Sequence, residues 1–248
     1  MPPIISVKNV SMRFNLAQEK TETLKEYVVK FFKKQLYFNE FYALNDVSFD
    51  VKQGESLALI GRNGSGKSTM LKVIAGVMYP TKGSVSVNGS IAPLIELGAG
   101  FDLDLTAREN IYLNGAVLGY DHEYMDEHFQ SIIDFSELGD FVDVPVKNFS
   151  SGMIARLGFS IATEVKADVL VCDEILSVGD LMFQQKCHKR MEKMLSDGTT
   201  LLFVSHSLPQ VQDICKNALW LNHGKAEMMG PSKEVCSAYI HAMENGLV

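Results

Sequence analysis

No uninterrupted apolar stretch in this chain approaches the roughly 18 to 20 residues that a bilayer-spanning helix requires, so any work at a membrane is expected to need a partner. Cysteine is scarce. The four thiols, Cys172, Cys187, Cys215 and Cys236, are widely spaced and form no CxxC pair. That argues against a disulfide framework or a zinc site and fits a reducing cytoplasm. Positive charge is also short, with 23 Lys and Arg against 30 Asp and Glu and a formal net charge of −7. A nucleic-acid partner is therefore not expected, because phosphate backbones select basic surfaces. The start, Met1-Pro2-Pro3-Ile4, lacks the charged and apolar regions of a signal peptide. There is no collagen-like, low-complexity or disordered tract. What remains is ordinary globular chemistry, and 248 residues suffice for one large α/β domain or two small ones with a full core.

The apolar pattern gives the order of elements. Ile4 to Val10, Ala43 to Val51 and Ser56 to Ile60 read as strands, the last a charge-free run suited to a parallel sheet buried on both faces. Between the first two lies a polar and aromatic stretch, about residues 15–40. Within it Leu24, Tyr27, Val28, Phe31, Phe32 and Leu36 recur at helical spacing among Lys25, Lys30, Lys33 and Lys34. This insert has two readings: a helix lying at a membrane surface, or one packing its apolar face onto protein. From Glu109 to Glu164 the pattern is mainly helical, opened by Thr106-Ala107-Arg108-Glu109 as a capping box. Two further apolar strands, Val169 to Cys172 and Leu201 to Val204, each run into polar residues. In open α/β sheets ligands sit beyond the carboxyl ends of strands, so one convergent site is expected there.

Gly61-Arg62-Asn63-Gly64-Ser65-Gly66-Lys67-Ser68 fits the phosphate-loop pattern G-x-x-x-x-G-K-[ST] and is followed by Thr69. Its glycines let backbone N–H groups turn toward phosphate oxygens, and the helix start adds a positive dipole end. Lys67 is expected to reach the β- and γ-phosphates and the Ser68 hydroxyl to bind Mg²⁺. The strand Val169-Leu170-Val171-Cys172 leads into Asp173-Glu174. Asp173 is placed to hold Mg²⁺ through its water shell, and Glu174 to orient or polarise the attacking water. His206, at the end of its own strand, can donate a hydrogen bond to a γ-phosphate. The other histidines, His122, His128, His188, His223 and His241, lack that setting.

Phosphate loop, acidic pair and histidine, in this order and spacing, resemble the ATP-binding-cassette family over nearly the whole chain. The resemblance implies a P-loop NTPase core with a mixed, mainly parallel sheet, an antiparallel strand region and an inserted helical subdomain. The expected division of this single domain is a core of about residues 1–100 and 163–248, with the helical part at about 101–162. The family signature, usually Leu-Ser-Gly-Gly-Gln, corresponds to Phe149-Ser150-Ser151-Gly152-Met153, which keeps the serine and the fourth-position glycine. Ser150, Ser151 and Gly152 are implied to cap the γ-phosphate of ATP held by the other subunit of a homodimer, and Asp180 to contact that opposite subunit. Glu96 stands where the family carries a glutamine near Mg²⁺. An aromatic near the end of the insert is expected to stack on adenine, with Tyr42 chosen ahead of Phe41 and Phe38.

Glu96 to Phe101, Ser150 to Met153 and Val178-Gly179-Asp180 look like one branch of that family: ATPases that power export of surface polysaccharides such as O-antigen, capsule and wall teichoic acid. The resemblance implies two ATPase copies beneath two permease subunits, a lipid-linked polysaccharide as cargo, and a place on the cytoplasmic face of the bacterial inner or plasma membrane. In that branch the insert is a helix near the cytoplasmic entrance for lipid-linked glycan. A carbohydrate-binding domain after the ATPase is not expected, since the sequence stops at Val248. Other readings are a different transporter ATPase (importer, or drug or lipid exporter), a soluble cassette ATPase acting on DNA or ribosomes, a P-loop small-molecule kinase, and a nucleotide sensor without turnover. The soluble cassette reading lacks its coiled coil or second cassette, and the kinase reading leaves the signature, Asp180 and His206 without a purpose.

Overall fold

The computed structural model describes residues 2–17, 38–94, 98, 100–173 and 179–246. A three-stranded antiparallel sheet is ordered β2-β1-β4, with β1 at Ile5–Ala17, β2 at Phe38–Val51 and β4 at Lys82–Val87. A six-stranded sheet follows the order β5-β6-β7-β3-β8-β9. Its members are β3 (Ser56–Ile60), β5 (Ile91–Leu94), β6 (Val169–Asp173), β7 (Thr200–Val204), β8 (Asn217–Asn222) and β9 (Lys225–Pro231). All its pairings are parallel except β8 with β9. The architecture expected of a mixed, mainly parallel sheet beside an antiparallel region is the one observed.

The side-chain period of two divides the apolar residues of the large sheet between its faces. Ala58, Ile60, Leu170, Cys172, Leu201 and Phe203 join one core cluster; Leu57, Leu59, Val169, Val171, Leu202 and Val204 join the other. Burying the Phe203 side chain completely contributes about 1.5–3 kcal/mol. Helices α1 (Lys67–Ile74), α5 (Leu181–Ser196), α6 (Leu208–Ile214) and α7 (Ser232–Glu244) supply further covering residues.

A third apolar cluster holds α2 (Ala107–Val117), α3 (His122–Ser136) and α4 (Ser151–Glu164) together. The stretch read as mainly helical thus holds three α-helices, each opened by a side-chain cap, with two short 3-10 turns between α3 and α4. Thr106 and Glu109 form the expected capping box, Asp121 accepts from Tyr124 N–H, and Ser150 accepts from Met153 N–H. Left-handed Glu137, at φ 60°, ends α3.

The boundaries of the insert differ from expectation. β1 runs on to Ala17 and β2 begins at Phe38, because cross-strand pairing and the Arg13–Glu40 ion pair at 2.5 Å extend the ladder beyond the local pattern. The amphipathic run from Leu24 to Leu36 lies outside the described residues. Among the described residues, no helix is long and apolar enough to cross a membrane.

Candidate functional site

β6, β7 and β3 are adjacent and parallel, so their carboxyl ends open on the same edge of the sheet. β3 ends at Ile60 and turns into the glycine loop, β6 ends at Asp173, and β7 ends at Val204 just before Ser205 and His206. A cavity of about 570 Å³ lies there, lined by Asn63, Gly64, Gly66, Lys67, Ser68, Thr69, Asp173 and His206, with Phe14, Phe41, Ala43 and Val204 completing the wall.

Sequence dictates the loop's shape. Gly66 sits at φ 105°, where a Cβ would collide with the Ala43 carbonyl. Gly61 sits at φ 145°, where a Cβ would collide with the Leu221 carbonyl and come within 2.7 Å of Ser65 Oγ. Only glycine fits such positions. Gly66 opens α1 with no side-chain cap, and the first turn of the helix carries no acidic residue. Its start therefore offers backbone N–H groups and a positive dipole end to an anion.

Lys67 is buried, and its Nζ donates to Gly61 O at 2.8 Å and Arg62 O at 3.0 Å. Burial holds the Lys67 ammonium below its ordinary pKa, while the negative charge of Asp173 works the other way. Burial, followed by the positive charge of Lys67, holds the His206 imidazole below its ordinary value, and Asp173 again opposes. Lys67, Asp173 and His206 therefore share one electrostatic environment, as the strand order requires. Ser68 is exposed to the same cavity, so its hydroxyl and the Asp173 carboxylate are together available to a hard cation, a donor set suited to Mg²⁺.

The aromatic candidates for adenine separate on the strand register. Adjacent strand residues point to opposite faces, and the β1–β2 register pairs Phe14 with Phe41 and Arg13 with Tyr42. The cavity is lined by Phe41 and Phe14, and Tyr42 is not part of its wall. Arg62 is exposed beside the cavity, whereas Gly61 and Ser65 are buried in the loop's own fold. Phe14 escaped the sequence reading, since only the long-range register of β1 brings it here.

Ser150, Ser151, Gly152 and Asp180 are not in this cavity. Ser150 caps α4 with its Oγ 3.2 Å from Met153 N, and Asp180 caps α5 with Oδ1 3.0 Å from Phe183 N. The backbone bond to Phe183, followed by the charge of Arg156, holds the Asp180 carboxyl below the usual range. Glu174 and Glu96 lie outside the described residues. Gly98, just beyond Glu96, packs so closely on Ile154 of α4 that a Cβ there would collide with it.

Residues 44–177 match the protein family described as ABC transporter. The chain is 42% identical over 247 residues to the O-antigen export system ATP-binding protein RfbB of Klebsiella pneumoniae, covering 98% of this chain and 100% of that one. It is 43% identical to the teichoic acids export ATP-binding protein TagH of Listeria innocua, covering 95% of this chain and 69% of that protein. Its fold matches a dimeric post-hydrolysis structure of an ATP-binding cassette bound to ADP and Pi, with TM-score 0.74, 21% identity, and coverage of 92% of this chain and 98% of the other.

Proposed function

The chain belongs to the ABC transporter family, and on that premise we propose that it is the ATP-hydrolysing subunit of a bacterial exporter that moves a lipid-linked surface polysaccharide. The observation that carries the ATPase reading is the meeting of Lys67, Ser68, Asp173 and His206 at one sheet edge, beneath an uncapped helix start. Export of a polysaccharide is supported by the full-length similarity to a protein named for O-antigen export and the similarity to proteins named for teichoic acid export.

The triphosphate lies along Gly61 to Thr69, with loop N–H groups and the start of α1 facing its oxygens. Lys67 exchanges the carbonyls of Gly61 and Arg62 for phosphate oxygens, and neutral His206 donates to the γ-phosphate. Ser68 and Asp173 would hold Mg²⁺, which would supply positive charge to offset that of the phosphates. Glu174 orients the attacking water and polarises it toward the γ-phosphorus. Phe41, with Phe14 beside it, offers the ring face for adenine in place of Tyr42.

Two copies close around two nucleotides, each offering Ser150, Ser151, Gly152 and Asp180 to the site of the other. Such a dimer is isologous and closes on itself. The pair docks beneath two permease subunits at the cytoplasmic face of the membrane, and closure and reopening drive transport. Glu96 is assigned to the Mg²⁺ site by its position in the sequence alone. In a strain whose sole copy is Glu174→Gln, surface polymer should fall more than tenfold while lipid-linked polymer accumulates inside. Undiminished surface polymer in that strain rejects the reading.

A further inference from the structure

Three helix ends meet at Arg156. It lies on α4, less than two turns beyond the Ser150 cap. Arg156 Nη1 donates to Glu137 Oε2 at 2.8 Å, and Glu137 is the left-handed residue that closes α3. Nη2 donates to Asp180 Oδ2 at 2.6 Å, while the other oxygen of the same carboxylate caps α5. The guanidinium carbon stands 4.6 Å from the centroid of the Phe183 ring. Backbone also approaches closely: at Gly179, with φ +73°, a Cβ would lie 3.3 Å from Arg156 Nε. From the far side Lys186 Nζ donates to Glu137 Oε1 at 3.1 Å. The cations Arg156 and Lys186 and the carboxylates of Glu137 and Asp180 form one neutral network, with the Arg156 side chain only 18% exposed.

Exposed ion pairs contribute little on average, but this arrangement is of another kind. A rigid guanidinium fork serves carboxylates on two different elements and lies against a buried ring, which an ammonium on a flexible stem cannot reproduce. None of the residues in the network lines the phosphate cavity.

We propose that Arg156 is a positioning residue for ATP turnover: it locks the Asp180 carboxylate, and with it the start of α5, to the helix that Ser150 caps. The two surfaces that one copy offers to the other then move as a unit. The proposal rests on the reading of Ser150 and Asp180 as contacts to the opposite subunit. Without the lock Asp180 can still cap α5, but its angle to the α4 start is no longer fixed. First binding of nucleotide is untouched, and the step that needs both surfaces in register slows.

The test is steady-state ATPase of the full chain across MgATP concentrations, with a thermal melt of each variant. Arg156→Ala should lower kcat at least tenfold and leave KM within threefold. Arg156→Lys should recover part of that loss, and it carries the test if the alanine form does not fold. Asp180→Ser keeps a capping hydroxyl but removes the partner of Arg156; in that background Arg156→Ala should lower kcat less than threefold. A kcat for Arg156→Ala within threefold of wild type overturns the proposal, as does an equal loss with and without Asp180. If the unaltered chain fails to turn over MgATP, the ATPase reading falls and the proposal with it. An active parent with an indifferent Arg156→Ala rejects the coupling alone.

Discussion

Replacing Lys67 by Met removes an ammonium that the fold encloses to 5% exposure and keeps a side chain of similar length. In the structure that ammonium satisfies the carbonyls of Gly61 and Arg62 at 2.8 and 3.0 Å. Hydrogen bonds to a charged group contribute about 1.5–3 kcal/mol each. Much of this is returned in the variant, because the burial that depresses the Lys67 pKa is a penalty the methionine does not carry. The loop carbonyls can also take water from the cavity. A net loss of about 1–2 kcal/mol is expected, a fall of about 2–8 °C in Tm for a chain of this size. Nucleotide binding has no such offset. Losing one charge-assisted bond to phosphate, about 1.5–3 kcal/mol, raises the Kd for MgATP roughly 10- to 150-fold. Calorimetric titration in a Glu174→Gln background, which keeps the ligand intact, measures this directly. A Kd within threefold of the parent, with the melt in the stated range, would refute the placement of Lys67 on the phosphates.

Phe41→Ala should raise the Kd for ATP roughly 2- to 12-fold, the size of an aromatic stacking contribution, whereas Tyr42→Ala should change it less than twofold; the opposite order returns adenine to Tyr42. Burial pushes the Cys187 and Cys215 thiols up to about 12 and raises Cys172 and Cys236 as well. A thiol reagent at pH 8 should therefore label the native chain slowly and all four cysteines after denaturation; rapid native labelling contradicts the packing. His206 is held below its ordinary value of 6.5, so the unfolded chain takes up its proton first as pH falls. Its contribution to stability is present above 6.5 and is lost on acidification, and a proton NMR titration of the nucleotide-free chain that places His206 at or above 6.5 contradicts the site's electrostatics.

The parts of the molecule legible in the sequence are those fixed by local chemistry. Ser56–Ile60 carries no charge and is buried throughout, so its boundaries could be read directly. The glycine loop, the acidic strand end and the Thr106 capping box each need only neighbours a few residues away. β4 is different: Lys82–Val87 has a largely exposed, glycine- and serine-containing pattern and becomes a strand only because β1 pairs with it. The extension of β1 to Ala17 has the same cause. Choosing Phe41 over Tyr42 requires the register after the irregularities at Val10, Met12 and Arg13, which no local period reveals. Arg156 meets partners 19 and 24 positions away, so its role is visible only once α3, α4 and α5 are packed.

Nucleotide sandwiched between two copies is the core of this account, and light scattering on purified Glu174→Gln chain tests it most directly. Addition of MgATP should convert the protein to the mass of two chains, and removal of nucleotide should reverse the change. A chain that binds MgATP to saturation and keeps the mass of one contradicts it.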